Sequence, residues 1–165
     1  PMPRSHRKGP VDAGPDLLPL RSAEAGISLQ SVLAPLVHTI LTEHEDLGRA
    51  DVTVSIDAEV NVAPASVAGL TELLAALVAT ACEAAATAAE RRREVVITAV
   101  QTATTLEIEV ADSATPSGSD RGGIDARLES IARRLGGHLD HCHCPDGGTA
   151  VTLHLPRRRA GSLAA

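Results

Sequence analysis

The chain has 165 residues, of which 44% are hydrophobic and 22% are charged, and it contains no Phe, Tyr or Trp. This length suits one domain, whose core has to be built from Leu, Val, Ile and Ala. The net charge is −6, which argues against nucleic acid as the main partner, because phosphate binding needs clustered cations. Three cysteines do not make a disulfide framework, so we expect a reducing, cytoplasmic setting.

Residues 1–26 contain scattered proline and glycine and show no periodic apolar pattern, which predicts a disordered tail or linker. We expect one domain at residues 27–157 and a second tail at residues 158–165. The first predicted element is a helix that begins after Ser28, the expected N-cap, and carries apolar residues at helical spacing. Pro35 is a point where this helix could kink or divide.

A half-buried strand is predicted over residues 51–57, where apolar and polar residues alternate. A second strand or an extended connection follows at 60–64. A long helix is expected from Ser66 to about Glu90. Its stretch Leu70–Ala89 resembles a membrane span only superficially, because alanine and threonine dominate it and two glutamates interrupt it. We therefore expect no membrane segment.

The second half of the chain alternates strands, a loop and one more helix. Strands are predicted at 94–100, 105–112, 138–144 and 149–156, a loop at 113–123, and a helix at 124–137 that a Gly pair ends. Helices interspersed with hairpin-connected strands favour one mixed sheet with helices covering one face.

Four short motifs close the domain: Gly123-Ile124, Gly136-Gly137, Gly147-Gly148-Thr149 and Leu155-Pro156. In order and spacing they resemble the closing part of the ATP-binding domains of sensor histidine kinases (the GHKL group). The resemblance covers residues 28–156. It implies the Bergerat fold, a two-layer α/β sandwich with a mixed, mainly antiparallel sheet and about three helices on one face.

The resemblance also implies where a nucleotide would bind. An Asp after the central strand accepts a hydrogen bond from the adenine amino group, a helical Asn holds Mg²⁺, and a glycine-flanked helix N-terminus lies near the phosphates. Here the Asn position is occupied by Thr80, the position one turn earlier by Ala76, and the Asp-x-Gly glycine by Ala114. The positions carried over as nucleotide-binding are Ala76, Thr80, Asp112, Ala114, Gly122, Gly123, Ile124 and Thr149.

The resemblance also bears on the charges near the phosphates. The helix position that is often basic in the family falls on Glu83 or Ala84. At the glycine-flanked helix end, Asp120 and Asp125 would oppose a triphosphate, and Arg121 and Arg127 would partly offset them.

Two functions therefore stay open, together with a third possibility. The chain is either the ATP-binding domain of a sensor kinase in two-component signalling, with a weakened magnesium and phosphate site, or a non-catalytic protein-interaction module on the same scaffold. The third possibility is an aromatic-depleted variant without selected activity. The resemblance implies ATP and Mg²⁺ as cofactors, and a phosphoacceptor protein or response regulator as partner. It also implies a homodimer through a dimerisation domain that we do not find in these residues.

The run from His138 to Cys144 invites a metal interpretation. On a strand, however, His141 and His143 face one side while Cys142 and Cys144 face the other. While they stay on the strand, the four consecutive residues 141–144 therefore cannot all bind one tetrahedral metal ion. We expect surface or core packing here and no metal ligand.

Overall fold

The computed structural model describes residues 26–43, 50–57, 60–87, 93–114, 124–145 and 147–157. Apart from Gly26, both predicted tails lie outside these ranges. The helices are α1 (Leu29–Glu43), α2 (Val67–Thr87) and α3 (Ala126–Arg134). The strands are β1 (Ile27–Ser28), β2 (Asp51–Ile56), β3 (Asn61–Val62), β4 (Glu94–Gln101), β5 (Thr105–Asp112), β6 (His138–His143) and β7 (Thr149–Pro156).

Five of the strands form one sheet in the order β2-β4-β5-β7-β6. The pair β2–β4 is parallel, and the other three pairs are antiparallel. The three helices pack on one another and on this sheet, which confirms the predicted mixed, mainly antiparallel α/β sandwich. A small antiparallel pair, β1–β3, was not predicted. It lies at the start of α1, where the Leu29 amide donates to the Val60 carbonyl at 2.9 Å.

The core lies between the helices and the inner face of the sheet. Alternate residues of β4 and β5 point inwards, because successive side chains of a strand face opposite sides. They pack against the apolar face of α2. The buried face of α1 contributes Leu29, Leu33, Val37 and Ile40. The fully buried large side chains are Leu29, Leu33, Val60, Leu70, Leu73, Leu74, Val78, Val95, Ile97, Ile108, Ile131 and Leu153.

The central helix α2 contains a stretch, Val67–Ala86, that is long and apolar enough to cross a membrane. Its leucines at 70, 73 and 74 are completely buried within the domain, as expected of a core helix. The helix was predicted to reach Glu90, whereas the described part ends at Thr87. In α1, Pro35 lies inside one continuous helix and does not divide it.

Both ends of α3 follow from local sequence. Asp125 is the N-cap, and its Oδ1 accepts from the Arg127 amide at 2.9 Å. At the other end, the amides of Gly136 and Gly137 donate to the carbonyls of Arg133 and Ala132, both at 2.9 Å. Gly136 has φ +84°, the left-handed conformation that favours glycine after a helix. The predicted Gly-pair stop is confirmed.

Candidate functional site

A cavity of about 530 Å³ opens between α2, α3 and the ends of β5 and β7. Its walls are largely apolar, with polar groups concentrated where β5 ends and where α3 begins. The lining residues are Leu77, Thr80, Ala81, Glu83, Ala84, Val110, Asp112, Ile124, Asp125, Leu128, His141, Thr149 and Val151. A concave, mostly apolar pocket with a few convergent polar groups is the usual form of a small-molecule site.

Four of the eight positions that the sequence predicts for a nucleotide line this cavity: Thr80, Asp112, Ile124 and Thr149. Ala76 and Ala114 are not among its lining residues, and Ala114 is fully buried. Gly122 and Gly123 lie outside the described residues. The structure therefore brings together one predicted residue from α2, one from the end of β5, one that precedes α3 and one from β7.

Asp112 is held at the end of β5 by the chain that follows it. Its Oδ1 accepts a hydrogen bond from the Ala114 amide at 2.9 Å, a local turn that short acidic side chains commonly make. On the neighbouring strand, Gly148 has φ +95°, and a Cβ there would collide with the Asp112 carbonyl oxygen. The glycine therefore lets β7 approach the carboxylate-bearing residue closely.

Thr149 faces Asp112 directly, because the two residues are register partners in the β5–β7 pair. The Thr149 hydroxyl is buried and has no hydrogen-bond partner among the described residues. Such an unsatisfied hydroxyl costs roughly 1–3 kcal/mol. Asp112 and Thr149 therefore place a carboxylate and an unsatisfied hydroxyl next to each other at the wall of the cavity.

The charges around the cavity are mainly negative. Glu83, Asp112 and Asp125 contribute carboxylates, His141 contributes an imidazole, and the described lining contains no Lys or Arg. The sequence pointed to Asp112 as the adenine contact, to Glu83 at a position that is often basic, and to Asp125 as a charge near the phosphates. His141 was not predicted near the site.

Arg121 and Arg127 were expected to partly offset the charges of Asp120 and Asp125. Asp120 and Arg121 lie outside the described residues, and the structure gives Arg127 another role. Its Nη2 donates to the Glu72 carboxylate at 2.8 Å, so the guanidinium joins α3 to α2, and Arg127 is not a lining residue of the cavity. Within the described part of the chain, no cation is therefore placed to neutralise a triphosphate.

The side chains also fit magnesium poorly. Thr80 offers one hydroxyl where the related domains have an Asn, and Ala76 offers no ligand atom. Mg²⁺ requires near-octahedral oxygen ligands and is usually held by one or two carboxylates together with phosphates. Among the described residues, the one group of three His, Cys, Asp or Glu side chains close enough to share an ion lies elsewhere, on β6 and β7. The described lining of the cavity therefore offers few ligand atoms suited to Mg²⁺.

Several solved histidine kinases have the same architecture. The catalytic domain of histidine kinase ThkA aligns with TM-score 0.58 and 17% identity over 79% of this chain and 94% of that one. The blue-light activated histidine kinase EL346 of Erythrobacter litoralis aligns with TM-score 0.62 and 22% identity over 79% of this chain and 42% of that one. Full-length ShkA in complex with AMPPNP aligns with TM-score 0.60 and 12% identity over 83% and 32%.

This chain has the fold of the histidine kinase ATP-binding domain. It spans nearly all of the isolated ThkA domain but less than half of the EL346 and ShkA chains. In a further structure, ThkA is in complex with its response regulator TrrA, and that kinase aligns with TM-score 0.64 and 15% identity over 80% of this chain and 41% of the kinase. No protein-family model matches the chain, and no curated protein matches it by sequence. The expected resemblance is confirmed at the level of the fold.

Proposed function

We propose that the chain is the nucleotide-binding domain of a sensor-kinase-like protein, and that it binds the adenosine part of ATP or ADP without assembling a magnesium site of its own. One observation carries this proposal: Asp112 and Thr149, whose hydroxyl has no hydrogen-bond partner among the described residues, are opposite each other in the lining of a cavity of about 530 Å³. The histidine kinase fold supports it, since one neighbour of that fold, ShkA, is in complex with AMPPNP.

The purine would be recognised by shape and by two polar groups. Asp112 accepts a hydrogen bond from the exocyclic amino group through the carboxylate whose Oδ1 the Ala114 amide already orients. The Thr149 hydroxyl then gains a partner on the same edge of the ring. Apolar side chains of α2, β5 and β7, including Leu77, Val110 and Val151, enclose the faces of the ring.

Phosphoryl transfer requires more than this site supplies. Kinases stabilise the transferring phosphoryl group mainly through metal ions and positioned cations. The described lining offers carboxylates at Glu83 and Asp125 and no Lys or Arg. At a few ångströms, each carboxylate repels a phosphate oxygen, and the repulsion is strongest where water is excluded. We therefore propose that the domain binds nucleotide but transfers no phosphate unaided.

The setting that we propose is a cytoplasmic two-component system. There the domain would act on, or dock to, a phosphoacceptor protein or a response regulator, as suggested by the complex of ThkA with TrrA. The second candidate function is a non-catalytic protein-interaction module. The carboxylate-rich lining of the cavity opposes phosphoryl transfer and so favours a non-catalytic module. The Asp112–Thr149 pair favours retained ligand binding.

A thermal-stability titration with ATP and ADP, each with and without Mg²⁺, tests the proposal. A ligand at one hundred times its dissociation constant stabilises a protein by roughly 2.7 kcal/mol. We expect both nucleotides to raise the melting temperature, with ADP at least as effective as ATP and with Mg²⁺ adding little. No rise at millimolar nucleotide would refute nucleotide binding and leave the interaction module as the function.

A phosphotransfer assay distinguishes both candidate functions from that of an active kinase. The domain is incubated with radiolabelled ATP, Mg²⁺ and a purified histidine-containing phosphoacceptor domain. We expect no labelled acceptor. Transfer of label at a rate dependent on Asp112 would show that the site is catalytic and that the proposal underestimates it.

A further inference from the structure

Two histidines and two carboxylates meet on the outer face of the sheet, on the side opposite the helices. His138 of β6 and His154 of β7 are register partners, and their rings stack with centroids 4.7 Å apart. Glu107 of β5 is the register partner of His154 on its other side. Asp140 lies two residues beyond His138 on the same face of β6. Three adjacent strands therefore present four metal-ligand side chains in one patch.

The ligand atoms are close enough to share an ion. The Nε2 atom of His154 lies 3.2 Å from Oδ2 of Asp140, and Nε2 of His138 lies 3.8 Å from the same oxygen. One ligand atom from each of the three residues falls within 4.8 Å of the others. Tetrahedral zinc with bonds of about 2.0–2.1 Å needs ligand atoms roughly 3.3 Å apart. The side chains of His138 and Asp140 are 65% and 69% exposed and have room to rotate towards that spacing.

Glu107 plays a different part from the other three. Its carboxylate lies 3.5 Å from Nδ1 of His154, while Nε2 of the same ring faces Asp140. A carboxylate next to one ring nitrogen favours the tautomer with its proton on that nitrogen and leaves the other free for a metal. Carboxylate–histidine–metal arrangements of this kind are common behind metal ligands. The geometry therefore orients His154 towards an ion at Asp140.

We propose that His138, Asp140 and His154 form a binding site for a divalent transition metal of the zinc class, with Glu107 as the positioning residue behind His154. Two imidazoles and one carboxylate suit Zn²⁺, and they leave a fourth position for water. The site joins the edge strand β6 to β7 and lies on the face of the sheet away from the cavity. It is independent of the nucleotide proposal.

This site differs from the consecutive His–Cys run that the sequence excludes. Along β6, only His138 and Asp140 of the proposed ligands come from that run, at alternate positions on one face, and the third ligand comes from the neighbouring strand. His141 and His143 lie on the opposite face, where their rings contact each other edge to face with centroids 4.9 Å apart. They provide matched control histidines on the same strand.

Titration of the full chain with Zn²⁺, followed by isothermal calorimetry in the presence of a phosphine reductant, tests the site. We expect binding at one site that weakens by about tenfold or more in His138→Gln and in Asp140→Asn, and by about tenfold in Glu107→Gln. His143→Gln and Cys142→Ser should keep the wild-type affinity for that site. The variants change exposed side chains, and circular dichroism checks that each remains folded.

Two results would overturn the proposal. One is the absence of Zn²⁺ binding to the folded wild-type chain at micromolar concentrations. The other is wild-type affinity in His138→Gln together with loss of affinity in His143→Gln or Cys142→Ser, which would assign the metal to the opposite face or to the thiols. Visible absorption of the Co²⁺ form adds a second readout, because imidazole-bound tetrahedral cobalt gives a spectrum that His138→Gln should abolish and His143→Gln should retain.

Discussion

Asp112 and Thr149 are directly opposite residues of the antiparallel strands β5 and β7, and both line the same cavity. The carboxylate accepts from the Ala114 amide at 2.9 Å, whereas the Thr149 hydroxyl is buried with no partner in the part of the chain that the structure describes. The orientation of the carboxylate is therefore set by the protein, while the hydroxyl is left unsatisfied. Asp112 is also the residue that the sequence predicts as the adenine contact, and it lines the cavity that the fold forms.

Thr149→Val tests the unsatisfied hydroxyl. Valine has nearly the same shape and carries no polar atom, so the substitution should raise the free energy of unfolding of the ligand-free protein by about 1 kcal/mol. Affinity for ADP should fall, because the ligand loses a partner. Urea unfolding monitored by far-ultraviolet circular dichroism measures the first effect. A loss of stability would show that the hydroxyl already has a partner in solution.

Gly148→Ala and Gly136→Ala form a matched pair. Both glycines have positive φ, +95° and +84°, but only at Gly148 would a Cβ collide with backbone, namely the Asp112 carbonyl. We expect Gly136→Ala to cost about 1 kcal/mol of unfolding free energy from backbone strain alone. Gly148→Ala should cost distinctly more and weaken nucleotide binding as well, because β7 has to move away from Asp112. Equal losses of stability would contradict the close approach of the two strands.

Arg127→Ala tests whether this arginine serves phosphate or structure. The guanidinium is paired with Glu72 at 2.8 Å, and both side chains are largely exposed. An exposed pair contributes at most about 1 kcal/mol to stability and is weakened by salt. ADP affinity, measured calorimetrically, should therefore change less than about twofold. A tenfold loss would mean that Arg127 leaves Glu72 to contact the phosphates.

The cysteines should differ sharply in reactivity towards iodoacetamide. Cys82 is fully buried on α2, and burial, with a smaller contribution from Glu83, raises the pKa of its thiol above the ordinary 9.0. Less thiolate is then present at any pH below that value, and the thiolate is the reactive form. At pH 8, mass spectrometry should find the exposed Cys142 alkylated first and Cys82 protected until the protein unfolds. Rapid labelling of Cys82 in the folded protein would contradict its burial.

Much of the fold was predictable because its signals are local. The Gly136-Gly137 stop and the Gly147-Gly148 turn fix where α3 ends and where the last hairpin turns, and strand alternation fixes which side of β5 is buried. Two-residue strands carry no such periodic signal, so β1 was missed, and β3 was expected only as a second strand or an extended connection. Pro35 was expected to kink or divide α1. The helix is nevertheless continuous through Pro35, and four of its residues are buried in the core.

The site was predictable only in part, for a related reason. Thr80, Asp112, Ile124 and Thr149 were located by motif spacing, but which charges share their cavity depends on how strands and helices are placed. The ion pair between Arg127 and Glu72 could not be predicted from their spacing in the sequence, because the two residues lie on different helices. The histidine cluster on the outer face was missed likewise, since His154 is adjacent to His138 only across the β6–β7 pair.

The most direct test of the central claim is calorimetric titration of adenosine into the wild-type chain and into Asp112→Asn. The amide can still accept from the Ala114 amide, but its NH₂ group would face the adenine amino group, donor against donor. Asp125→Asn is the matched control, because it removes another carboxylate from the cavity lining while remaining a good N-cap for α3.

The account predicts that adenosine binds about as tightly as ADP, that Asp112→Asn weakens both by roughly tenfold or more, and that Asp125→Asn weakens neither. No binding of adenosine to the folded wild-type chain at millimolar concentration, or undiminished binding in Asp112→Asn, would contradict it.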